Sequence, residues 1–228
     1  MQLRDERDLS RELVSHQRMW SGPVFALDAD TLRLEPGADP IGRQYLAHHG
    51  AVAVVALREG EDSSQPDGAP EVLMIRQYRH PVRANLWELP AGLMDHAGES
   101  ALVAAERELR EETDMEALTW HTLVDVFSSA GCLTESLRVL LARDLRRVER
   151  NDFVREDEEA DLRPTWVPLA QAVDAALAGQ IHNAAAVAGL LATERMRAKG
   201  WQGLRSAHAP WLRATSGFEV EPELQAVS

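Results

Sequence analysis

Seven consecutive apolar residues, Ala51-Val-Ala-Val-Val-Ala-Leu57, constrain the fold more than any other stretch of this chain. The run is far short of the roughly 20 residues a helix needs to cross a bilayer. It is rich in β-branched residues and bounded by polar segments. That pattern belongs to a strand buried on both faces of a sheet. The polar segment Gly60–Pro70, GEDSSQPDGAP, reads as a hairpin connection, and Glu71–Tyr78 as the returning strand.

The rest of the chain punctuates itself. Residues 1–19 alternate charged and apolar positions and read as a mobile arm or a short helix. Val24–Leu27 and Thr31–Leu34 pattern as strands around the turn Asp28-Ala29-Asp30. Glu35-Pro36-Gly37 and Pro40-Ile41-Gly42 read as loop. Residues 100–113 are helical, with Leu102, Ala105 and Leu109 as an apolar stripe. Trp120–Phe127, Leu137–Leu141 and Thr165–Val167 read as strands, and Asn151–Ala160 as an acidic loop. Pro168 opens a helix that Gly179 can end, and Asn183 can cap another running to about Lys199. Strands alternating with helices place the chain in the mixed α/β class. The expected organisation is an N-terminal arm with a β-hairpin over 1–48, a main domain over 49–200 and a tail over 201–228.

Charge narrows the partners. The 228 residues carry a formal net charge of −13, which repels nucleic-acid backbones and anionic membranes. The N-terminus has no apolar core of the kind a secretory signal requires. Cys132 stands alone, so no intramolecular disulfide can form, and a reducing cytoplasm is expected.

The chemistry concentrates in Gly92–Met115, GLMDHAGESALVAAERELREETDM. Glu108, Glu111 and Glu112 fall at i, i+3 and i+4, so a helix gathers three carboxylates on one face. A solvated acidic face is the ordinary outcome of such a run. A face held rigidly by buried neighbours becomes a site for Mg²⁺ or Mn²⁺, which favour oxygen ligands.

Gly92, Glu99 and Arg107-Glu108-Leu109-Arg110-Glu111-Glu112 resemble the Nudix box, whose pattern is G-x5-E-x7-R-E-U-x-E-E-x-G-U with U aliphatic. Six residues rather than five separate Gly92 from Glu99. Asp114 stands where the family has Gly; Asp tolerates the left-handed conformation better than most residues. Arg76-Gln77-Tyr78-Arg79, Trp87-Glu88-Leu89-Pro90-Ala91-Gly92 and Ile181-His182-Asn183-Ala184-Ala185 are similar to the ADP-ribose pyrophosphatase branch. Phe127-Ser-Ser-Ala-Gly-Cys-Leu-Thr-Glu135 is similar to that branch's S-P-G-x-x-x-E segment, with Ala130 in place of Pro.

The resemblance implies a Nudix-type α/β/α sandwich with a mixed β-sheet and an N-terminal β arm at a homodimer interface. It implies Mg²⁺- or Mn²⁺-dependent hydrolysis of the diphosphate of ADP-ribose to AMP and ribose 5-phosphate. Other nucleotide sugars or dinucleotides, or a non-catalytic ligand sensor, are the alternatives. It assigns metal binding to Glu108, Glu112, the Ala91 carbonyl and Glu159. Glu111 binds metal or assists the base, and Arg107 holds a box carboxylate. Glu99 supports the loop. The water-activating glutamate lies among Glu156, Glu158 and Glu159, with Glu158 favoured. Arg76, Arg79, Glu88 and Glu135 form the substrate-binding set. Trp20, Phe25 and Trp87 are candidates to stack on adenine, although aromatics are more often core. His48, His49 and His80 lack metal-ligand spacing.

Overall fold

The computed structural model describes residues 3–65, 67–148 and 163–213. It divides into two compact units. One holds the residues up to Gly50, with Val126–Ser136 and the segment from Pro210. The other holds Ala51–Asp125 and Leu137–Ala209.

The first unit is built on a three-stranded antiparallel sheet in the order β1-β2-β3: β1 Glu12–Ser21, β2 Phe25–Arg33 and β3 Ile41–His48. The arm or short helix expected over 1–19 is corrected here. From Glu12 onward the chain pairs with β2, and cross-strand charges fix its register. Arg18 donates from Nε and Nη2 to the fully buried Asp28 at 2.8 and 2.9 Å, and His16 Nδ1 lies 2.7 Å from Asp30 Oδ1. The turn reading of Asp28-Ala29-Asp30 and the loop reading of Ile41 and Gly42 are also corrected: the first three lie inside β2, paired with β1 and β3, and the last two pair with β2. Leu46 of β3 bonds the 126–136 segment through its backbone, donating to the Cys132 carbonyl and accepting from Thr134 N–H, both at 2.9 Å.

The second unit carries an eight-stranded mixed sheet. Its strands are β4 Ala51–Arg58, β5 Glu71–Arg79, β6 Ala84–Glu88, β7 Ala91–Leu93, β8 Met115–Phe127, β9 Ser136–Arg147, β10 Thr165–Pro168 and β11 Arg205–Ser206. The order is β10-β5-β4-β9-β8-β11, with β6 paired to β5 and β7 to β4. β4 runs parallel to β9 and antiparallel to β5 and β7. As the apolar run dictates, Ala51 to Leu57 are all buried. Among the described residues, three α-helices complete the unit: α1 Ala101–Thr113, α2 Leu169–Leu177 and α3 Ala184–Ala198. Both α1 and α3 pack on β4. No helix among the described residues is long and apolar enough to cross a membrane. The segment after α3 is anchored: β11 pairs with β8, and Asp125 of β8 binds both Arg205 and the buried Arg138 of β9.

Glu71 is a structural carboxylate that residue patterning does not reveal. It is buried at the start of β5 and closes the 59–70 connection. Arg58 Nε donates to it at 2.8 Å, Ser64 donates from N–H and Oγ at 2.8 Å each, and Gln65 donates at 3.1 Å. Burial acts to raise its pKa, yet these hydrogen bonds together hold it at about 2, below the ordinary 4.5. The folded state therefore prefers the ionised form. The resulting stability is complete above pH about 4.5 and drains away as pH falls towards 2. Glu71→Ala, which leaves Arg58 without this partner, is expected to lower stability by about 3 kcal/mol at pH 7. Urea unfolding of both proteins across pH 2–7 checks this. The gap between them should narrow below pH 4.5, and a constant gap would contradict the account.

Candidate active site

Helix α1 is set by its ends. Ser100 caps it, its Oγ accepting from Val103 N–H at 3.3 Å. Asp114 ends it at φ 55°, the left-handed conformation expected of the residue replacing the family glycine. Its N–H donates to the Arg110 carbonyl and its own carbonyl accepts from Val148 N–H, both at 3.0 Å. Between the ends, Ala101, Ala104, Ala105 and Leu109 are buried, whereas Leu102 is only half-buried. The stripe facing the core is therefore the alanine–Leu109 face, and two of the acidic residues share it. Glu108 is 7% exposed and Glu112 is 4% exposed. This is not a solvated acidic face.

Burying two carboxylates requires partners, and the chain supplies one from the segment before the helix and one from the helix itself. Glu112 Oε2 accepts from Ala91 N–H at 2.9 Å. Arg107 lies among the rest. Its Nη1 donates to Glu108 at 2.6 Å and to Glu111 at 3.2 Å. Nε and Nη2 donate to Glu99 at 3.1 and 3.3 Å, and Nη2 also reaches the Leu93 carbonyl at 3.3 Å. Burial opposes the Arg107 charge, but its bonds to Glu99 and the charge of Glu108 outweigh that and push its pKa up. The Leu93 carbonyl is a partner sequence reasoning missed, because a backbone acceptor has no residue-type signature.

Gly92 completes the arrangement. β7 pairs Gly92 with Val52 of β4, so its backbone cannot retreat. A Cβ built there would fall 1.9 Å from Glu108 Cδ and Oε1. The glycine thus makes room for the carboxyl group itself, a use of Gly that needs no special dihedral.

Among the described residues, no three His, Cys, Asp or Glu side chains are arranged as a ready-made metal-ligand set. The donors nonetheless suit a hard divalent cation: two buried carboxylates on one helix face, seated where Gly92 leaves room.

Arg79, at the end of β5, donates from Nε and Nη2 to Glu88 at 2.9 and 2.8 Å. Glu88 is 2% exposed. Arg76 lies on the other face of the strand, exposed, with its guanidinium 6.0 Å from the centroid of the Trp87 ring. The two arginines therefore project from opposite faces of β5. Glu135 belongs to the other unit, with Oε1 3.7 Å from His48 Nδ1, and burial lowers the pKa of that histidine. Trp20 and Phe25 stack against each other in a tilted pair at 5.5 Å. Glu156, Glu158 and Glu159 lie outside the described residues.

The model of the NUDIX domain matches residues 47–188. The chain belongs to the Nudix hydrolase family. An ADP-ribose pyrophosphatase of Mycobacterium tuberculosis is 39% identical over 91% of this chain and 94% of its own length. A methanol dehydrogenase activator of Bacillus methanolicus is 32% identical over 65% of this chain and 75% of its own. In three dimensions the chain is similar to a crystal structure of an ADP compounds hydrolase. The TM-score is 0.65 at 21% identity, over 86% of this chain and 99% of that one. That likeness supports the mixed α/β Nudix fold. Nudix hydrolases generally use divalent cations.

Proposed function

We propose that this Nudix hydrolase cleaves the diphosphate of ADP-ribose to AMP and ribose 5-phosphate, with Mg²⁺ or Mn²⁺, in the cytoplasm. The observation that carries hydrolysis is the buried Glu108–Glu112 pair, fixed by Arg107, Ala91 N–H and the space at Gly92. The choice of substrate rests on the 39% identical relative, which is an ADP-ribose pyrophosphatase. The single cysteine supports a reducing compartment.

In this reading Glu108 and Glu112, with the Ala91 carbonyl and Glu159, hold the cation, and Glu111 is an additional ligand or an aid to the base. A bound divalent cation supplies neutralisation of diphosphate charge. Arg107 keeps the carboxylates in place. Arg79 orients the diphosphate for in-line attack by water on phosphorus, which breaks the bridging P–O bond. Glu158 takes the proton from that water. Arg76 joins Arg79 in the substrate-binding set.

The test is a panel of ADP-ribose, nucleotide sugars and dinucleotides with Mg²⁺ or Mn²⁺, followed by phosphate release after phosphatase treatment. ADP-ribose should give the highest kcat/KM. Preference for another diphosphate would move the substrate, and silence throughout would favour the ligand sensor.

The functional molecule is proposed to be a homodimer in which the N-terminal arm, residues 1–48, contributes to the interface. Supporting this, β1 is an edge strand with Leu13, Val14, Met19 and Trp20 exposed, a pattern that invites a covering partner. Deletion of residues 1–36 should convert a dimer to a monomer in light scattering. A deletion that stays dimeric with unchanged KM would count against the arm.

A further inference from the structure

The β5–β6 hairpin sets a geometric problem for Arg79. Ile75 lies opposite Glu88 and Arg79 lies opposite Ala84. Four residues at about 3.3 Å each place the Arg79 and Glu88 positions about 13 Å apart along the strands. Residues 75, 77 and 79 share one face by alternation, as do their partners 88, 86 and 84. To reach Glu88, the Arg79 side chain must therefore run back along the hairpin, away from the turn at its own end. The structure shows that it does, with two hydrogen bonds of 2.9 and 2.8 Å.

The two partners differ in exposure. The Arg79 side chain is 40% exposed and that of Glu88 only 2%. Both Glu88 oxygens receive hydrogen bonds from Arg79, while the cation keeps an outward surface. From Glu88 the chain passes through Leu89 and Pro90 to Ala91, whose N–H binds Glu112. The guanidinium is thus drawn from the turn end of the hairpin towards the end that leads into the carboxylate site, with Glu88 reaching back to meet it. A flexible side chain would not stay there without a fixed acceptor, and a forked carboxylate is the acceptor that fixes a guanidinium in direction as well as place.

We infer that Glu88 is a positioning residue that directs the Arg79 guanidinium towards the diphosphate and acts on the reaction only through it. This rests on the reading of Arg79 as the group that orients the diphosphate. It replaces direct substrate contact as the role of Glu88.

The experiment is a kinetic cycle of wild type, Arg79→Ala, Glu88→Gln and the double variant. It uses the full-length chain, with circular dichroism on each. Each single change should lower kcat/KM by about 10- to 100-fold. The double variant should match Arg79→Ala within about twofold, because Glu88 has nothing left to direct. Millimolar guanidinium should partly restore Arg79→Ala and fail to restore the double variant. A merely structural glutamate would not produce that difference. Additive losses would mean that Glu88 meets the substrate itself and would overturn the inference, as would wild-type kinetics in Glu88→Gln. If Glu88→Gln alone does not fold, Arg79→Ala against the double variant decides, and rescue undiminished by the loss of Glu88 overturns it. If wild type turns over another diphosphate instead of ADP-ribose, the substrate reading fails. The same cycle on that diphosphate still decides the role of Glu88. If the chain hydrolyses no diphosphate, both fall.

Discussion

Glu112→Gln is expected to lower kcat by about a thousandfold while the chain keeps its fold. Glu112 is 4% exposed, and its Oε2 accepts from Ala91 N–H at 2.9 Å. A glutamine amide oxygen can take the same hydrogen bond in the same volume, so packing survives. What is lost is one full charge at the proposed divalent-cation site. A thousandfold corresponds to about 4 kcal/mol of transition-state stabilisation. Measuring kcat over a range of Mg²⁺ concentrations, with circular dichroism, checks it. Near-normal turnover with a normal spectrum would remove Glu112 from the metal site.

Gly92→Ala should damage both stability and activity, through one added carbon. The new Cβ would fall 1.9 Å from Glu108 Cδ, and pairing with Val52 holds the backbone in place. The carboxyl group must then leave the position where Arg107 Nη1 binds it at 2.6 Å. Overpacking of this kind costs about 1–3 kcal/mol, and turnover should fall at least about a hundredfold with the displaced ligand. Adding Glu108→Ala to Gly92→Ala should recover melting temperature, because the clash is gone, without recovering kcat. A single variant with wild-type melting temperature and kcat would show that Glu108 moves freely.

The parts of this molecule that could be read from residues alone are those with local causes. Ala51–Leu57 announced a buried strand by composition, Asn183 announced a helix start by its capping chemistry, and Asp114 announced the helix end by its tolerance of positive φ. The carboxylate trio was legible because 3.6-residue periodicity places Glu108, Glu111 and Glu112 together whatever the tertiary fold. What escaped depends on partners distant in sequence. β1 was hidden because its register comes from Arg18–Asp28 and His16–Asp30, pairs that exist only once β2 lies alongside. Gly42 in β3 resembled a loop residue until β2 supplied its hydrogen bonds. Leu102 was placed in the apolar stripe because helical periodicity alone does not say which face a sheet will cover. The division of Arg76 and Arg79 between two faces follows from strand alternation, which sets even and odd positions of β5 on opposite sides.

β4 has a consequence for how this protein comes into being on the ribosome. It accepts β5 and β7 from chain that follows it closely, but its parallel partner β9 emerges only after the whole carboxylate helix and β8 have been synthesised. Until then the nascent chain carries its most apolar strand with one edge unpaired. Such non-local pairing is slow and leaves sticky edges exposed while it waits. β7 and α1 seat on β4 itself, so the carboxylates of Glu108 and Glu112 rest on a strand whose other edge is still open. The strand that carries the carboxylate helix is thus also the one that β9 must reach before its open edge is closed.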